Sequence, residues 1–163
     1  IDQNLKISPH LAKEWKIRNQ KIYEFTFRSD AKFHDGTPVT AENVASMIHQ
    51  VLDPQTASPL SAAFKNVEKV VVKDPLHLDI HLRKPQANFL TDLTLIKALP
   101  LNAPKDSFRE NPIGSGPFIF VKKEVNTIEL KRNPSHFKFK PKIEKLVFPE
   151  PGGPAIIVII SFS

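Results

Sequence analysis

The chain contains no cysteine, which excludes a disulfide framework, a zinc–thiolate centre and thiol catalysis. Glycine is scarce, at 5 of 163 residues, while proline reaches 15; the pairing predicts many extended segments and fixed turns with few long helices. Long apolar runs are missing too. The longest, Ala155 to Ile160, falls far short of the ~18–20 residues that span a bilayer, so no membrane-spanning segment is expected. No methionine or signal-peptide pattern stands at Ile1, which reads as a processed or truncated product.

What is present suits a folded domain: 40% hydrophobic and 25% charged residues. The net charge of +6 raises the question of nucleic acid. Many basic residues sit beside acids, as in Lys13–Glu14, Glu68–Lys69, Lys73–Asp74 and Glu144–Lys145, so the charge reads as a diffuse surface property. Lys122, Lys123, Lys131, Arg132, Lys138, Lys140 and Lys142, interleaved with Phe137 and Phe139, keep a basic single-stranded nucleic-acid-binding module as the alternative.

Periodicity places the elements. Ile22 to Arg28 alternates with Tyr23, Phe25 and Phe27 on one face, a half-buried strand, and Asp35-Gly36 marks the turn after it. Thr40 can cap a helix whose apolar stripe is Val44, Met47, Ile48, Val51 and Leu52, and Asp53-Pro54 stops it. A short helical turn follows at Leu60 to Phe64. Val67 to Val72 and the alternating Leu78/Ile80/Leu82 predict an antiparallel hairpin around Asp74-Pro75. A short helix begins near Asn88, and Leu95 to Pro104 reads as a buried extended connection. Asn111 to Pro117 is the densest turn signal; strands are expected at Phe118 to Lys122, Thr127 to Arg132 and Lys145 to Phe148. From Pro151 to Ser163 the chain loses all charge, which suggests a truncation or a shifted reading frame, or else a buried strand over Ile156 to Ile160.

Two clusters invite a chemical reading. His34-Asp35 could form an acid/base pair, but turn chemistry explains Asp35-Gly36. His77, Asp79 and His81 lie on one side of a strand, yet such a trio is too splayed for most tight metal sites and reads as a solvent face. Asn111 to Pro117 lacks the Lys-Ser/Thr of a phosphate loop. No catalytic residue, metal site or cofactor is expected.

Several segments together resemble the family 5 class of extracellular solute-binding proteins, which serve ABC importers of oligopeptides, dipeptides and nickel. They are Pro9 to Trp15, Tyr23 to Arg28, Ala31-Lys32-Phe33-His34-Asp35-Gly36-Thr37-Pro38-Val39-Thr40-Ala41-Glu42-Asn43-Val44, Leu52 to Pro59, Asn111 to Phe118 and Leu130 to Phe137. Leu60 stands where the family usually has an aromatic residue, Asn43 replaces an Asp, and Phe137 falls in a Trp or Tyr region. Such proteins are about three times longer, with two lobes joined by a hinge.

The resemblance implies an α/β, periplasmic-binding-protein-like (class II) bilobal fold, with only part of the first lobe present, built from mixed, largely antiparallel sheets and few helices. Residues 1–104 would be the outer subdomain of that lobe, 105–148 part of its central subdomain, and 149–163 an atypical apolar tail. The implied role is a binding component rather than an enzyme. It would capture a peptide or similar small-molecule ligand in the periplasm or outside the cell, with or without a surface anchor, and deliver it to a membrane permease. Ser58 and Leu60, in a loop that reaches toward ligand in relatives, and Ser115 and Gly116, near the cleft, are the implied ligand contacts. Binding by this chain alone is expected to be weak.

Overall fold

A computed structural model describes residues 7–101, 110–149 and 158–159. Two compact units emerge: Ile1–Ser29 with Val39–Leu101, and Asp30–Pro38 with Asn102–Ser163.

The first unit is a four-stranded antiparallel sheet with one face covered by helices. Its strands are β1 (Ala12–Arg18), β2 (Ile22–Phe27), β3 (Val67–Asp74) and β4 (His77–Leu82), in the order β1-β2-β4-β3. Alternation decides which face is buried. Tyr23, Phe25 and Phe27 of β2 meet Leu78, Ile80 and Leu82 of β4 in one apolar layer, with Tyr23 opposite Ile80 and Phe25 opposite Leu78.

Helix α1 (Ala41–Leu52) supplies the second layer. Its buried apolar positions are Ala41, Ala45, Ile48 and Val51, with Val44 and Leu52 part-covered. The contact face is therefore rotated from the expected stripe: Met47 falls off it, and two alanines let the helix lie close to the strands. At the N-terminus the buried Asn43 carboxamide oxygen accepts from Thr40 N–H (2.8 Å) and from its hydroxyl (2.9 Å). Asp53 leaves helical geometry and holds Gln55 N–H in a 3-10 turn, Pro54–Thr56.

Two short helices, α2 (Ser61–Phe64) and α3 (Phe89–Leu93), close the side of this core. The Phe89 ring lies 4.9 Å from Tyr23 and 5.9 Å from Phe64, tilted against both. Gln86 binds the neighbouring backbone and side chains: its amide donates to Ala63 O (3.0 Å) and Asp92 (2.7 Å) and accepts from Asn66 (2.9 Å).

Three features differ from the sequence reading. β1 is a strand, although its residues show no simple alternation. An irregularity between Ala12 and Glu14 brings Ala12 and Trp15, three apart, to the same core. The stretch after Leu93 is irregular as expected, yet it is not buried: Leu95 and Leu101 are about half exposed, at 50% and 53%. Residues 102–104 of that stretch lie outside the described residues. Asp79, read as part of a solvent face, is buried, because β4 is an inner strand whose neighbours cover it.

The second unit carries an antiparallel meander: β5 (Phe118–Glu124), β6 (Thr127–Arg132), β7 (Lys145–Pro149) and β8 (Val158–Ile159), paired in sequence order. Most of the tail that the sequence reading singled out lies outside the described residues. This sheet contrasts with the first. Phe118, Phe120, Leu130, Leu146 and Phe148 are all only part-buried; the main core cluster belongs to the first unit, and the buried hydrophobics described in the second are Ala31 and Phe33 of the Asp30–Pro38 loop.

Candidate functional site

The second unit's functional geometry starts with a loop. Asp30–Pro38 folds on itself through a bridge between Lys32 and Pro38 and a bond from Phe33 N–H to Thr37 O (2.8 Å). The Asp35 carboxylate accepts from Thr37 N–H (2.9 Å) and from its hydroxyl (2.6 Å). These Thr37 bonds, the side-chain one foremost, hold the Asp35 carboxyl below its usual range. Gly36 has φ +87°, a left-handed conformation that favours glycine. Asp35 is therefore committed to the turn.

His34 reaches out of this loop to the Asn111 to Pro117 turn. Its backbone N–H donates to Gly114 O (2.8 Å), and Gly114 N–H points back at the ring Nδ1 (3.3 Å). A ring nitrogen that accepts an N–H carries a lone pair, so the imidazole proton sits on Nε2, 3.1 Å from Gly116 O. The Gly116 carbonyl also accepts from the side chain of buried Asn133 (3.0 Å), and Asn133 N–H donates to Pro117 O (2.8 Å). Three segments distant in sequence thus converge on one turn. An open groove of about 540 Å³ runs alongside, lined by Lys32, Phe33, His34, Lys131, Arg132 and Asn133 among others.

Of the four expected ligand contacts, Ser115 and Gly116 lie in this turn, both part-buried. Gly116 has no left-handed φ, and a Cβ built there would meet nothing within 4 Å. Neither backbone strain nor crowding calls for glycine at this position. Ser58 and Leu60 belong to the first unit. The Ser58 hydroxyl accepts from Leu60 N–H (3.3 Å), and Leu60 packs part-buried against the edge of the core. The turn is thus assembled from Ser115 and Gly116 in one unit, while Ser58 and Leu60 form a local pair in the other.

The other clusters resolve into structural partners. Asp79 pairs with Lys73 (2.7 Å) and His77 with Asp74 (2.8 Å), so the would-be metal trio is divided between two ion pairs and His81. No group of three or more potential metal ligands exists among the described residues. In the basic stretch, Lys122 is paired with Glu124 and Arg132 with Glu144, and beyond it Lys145 is paired with Glu129. Phe137 and Phe139 stack on His136, with ring centroids 4.4 and 5.6 Å away. Sequence reasoning missed His34 and Asn133 as organisers of the turn; the signal was their place in the matched segments, but their partners are 82 and 17 residues off.

Comparison with known proteins places this arrangement. The crystal structure of NikZ from Campylobacter jejuni in complex with Ni(L-His) superposes with TM-score 0.84 at 31% identity, covering 91% of this chain and 31% of that one. The nickel-binding periplasmic protein of Escherichia coli is 30% identical, over 87% of this chain and 29% of its own length. The periplasmic murein peptide-binding protein MppA of Escherichia coli is also 30% identical, over 77% of this chain and 28% of its own. The chain spans about 30% of the length of the relatives it matches.

Two antiparallel sheets with few helices, overlaid on part of a larger binding protein, define an α/β fold of the periplasmic-binding-protein type. More narrowly, the profile of the bacterial extracellular solute-binding proteins, family 5, matches residues 6–150, and the chain belongs to that family.

Proposed function

We propose that this chain is part of the substrate-binding component of an ABC importer, which captures a peptide or similar small solute and passes it to a membrane permease. The observation that carries this reading is the family match over residues 6–150, together with relatives named for binding peptides and nickel. The role is capture without chemistry: the side chains that resembled an acid/base pair and a metal trio are engaged in turns and ion pairs. Periplasmic relatives favour the periplasm or the outer surface as the place of work.

Residues 1–104 act as the outer subdomain of the first lobe and 105–148 as part of its central subdomain, with the Asp30–Pro38 loop of the first range grouped with the second unit. The part-covered second sheet supports this assignment, since apolar positions on a finished sheet are normally sealed by another layer. In a protein of full family length, further chain supplies that layer. Ser115 and Gly116 meet the ligand through a turn whose bare glycine leaves room for close approach; Ser58 and Leu60 are candidate contacts within the first unit.

A lobe fragment offers one side of an enclosing cleft and so loses most of the burial that gives affinity. Calorimetry of this chain with a mixed pool of di- to pentapeptides should show no binding at micromolar concentrations. Micromolar or tighter binding would contradict the fragment reading.

A further inference from the structure

We infer that His34 is the positioning residue of the glycine turn, an imidazole that clasps Gly114 and Gly116 from a loop about 80 residues away and so sets the shape of the surface offered to ligand. The clasp itself stands on geometry; its consequence for binding rests on the reading that Ser115 and Gly116 touch the solute.

The argument is one of directional bonding. A five-membered ring with one acceptor and one donor nitrogen can hold an N–H and a carbonyl two residues apart in a single orientation. Here the acceptor faces Gly114 N–H at 3.3 Å and the donor faces Gly116 O at 3.1 Å, while the His34 backbone binds Gly114 O at 2.8 Å. Asn133 fixes the same Gly116 carbonyl from the opposite strand end, at 3.0 Å. Glycines have the widest backbone freedom, so a turn with two of them needs outside restraint to keep one form. His34 and Asn133 provide it. Since a solute can be held only by a surface already in shape, loosening the clasp costs affinity without removing any ligand contact.

Nitrogen-15 NMR of this chain tests the clasp directly. The Nε2–H tautomer is expected for His34, with Gly114 slow to exchange. His34→Asn retains an acceptor and should keep Gly114 protected. His34→Gln retains a donor for Gly116 but should release Gly114. His34→Phe should release both, with Trp15 and Tyr23 signals reporting that the first unit is still folded. An Nδ1–H tautomer, or a Gly114 N–H that exchanges as fast in the unmutated chain as in His34→Phe, overturns the clasp.

The consequence for binding is read on the full-length gene product with the same peptide pool. His34→Phe should weaken binding, and Ser115→Trp, which obstructs the turn, should abolish it. If Ser115→Trp abolishes binding and His34→Phe leaves it unchanged, the positioning role is overturned. If Ser115→Trp has no effect while the NMR result holds, the clasp stands and the ligand-contact reading falls.

Discussion

At the scale of single residues, the structure shows why a small chemical change at a matched position matters. Asn43 occupies a place where the family usually has Asp, and both side chains can accept from Thr40 at the start of α1. Only the amide can also donate, and Asn43 uses that donor on Leu99 O at 3.0 Å, fastening the irregular stretch after α3 to the helix. Asn43→Asp sets a carboxylate against a carbonyl in a buried site and should cost about 1–3 kcal/mol in denaturant unfolding, with the midpoint lowered. The substitution was visible in the sequence, but its purpose was not, because Leu99 lies 56 residues away.

Carboxylates give a residue-scale prediction of pH dependence. Asp35 is held low by Thr37, Asp74 by the Leu76 N–H and then His77, and Glu124 by Lys122. A carboxyl whose folded pKa lies below its unfolded value adds stability that is complete above the unfolded range. That stability is lost as pH falls through the folded pKa. Urea midpoints should accordingly fall on acidification below the ordinary carboxylate range, and Asp35→Asn should flatten the fall.

At the scale of elements, legibility followed periodicity. β2 and β4 alternate cleanly because one face is core, and α1 announces itself by Thr40 and an apolar repeat. Its exact contact face was hidden, since alanines such as Ala41 and Ala45 carry little hydrophobic signal but are fully buried. β1 was hidden for a different reason. Its irregular start breaks the alternation, and its connection to β2 uses Asn19 (φ 49°) and Gln20 (φ 56°), both left-handed, without the Asn-Gly pair that usually advertises such a turn. Gln is strained there. Gln20→Gly should raise stability by roughly 1 kcal/mol in thermal or chemical unfolding, as relief of a left-handed side-chain clash outweighs the added chain entropy.

At the scale of the whole chain, two units differ in completeness. The first has an aromatic and aliphatic core sealed between sheet and helices. The second has a meander whose apolar residues are part-covered or, like Val121, exposed, and a turn built from three separated segments. Family membership was readable because its motifs are short, local and ordered along the chain. The clasp around Gly114 and Gly116 was not, since nothing local links His34 to a turn beyond the entire first core. Together these features fit a member of the family 5 solute-binding proteins that spans about 30% of the length of its relatives.

Native mass spectrometry of the full-length gene product, purified from the periplasm or medium without added ligand, tests that claim most directly. A non-covalent small solute, peptide or metal complex, should be retained and then released on denaturation. A protein that carries and captures no solute, yet binds single-stranded DNA with strong salt dependence, would contradict the account.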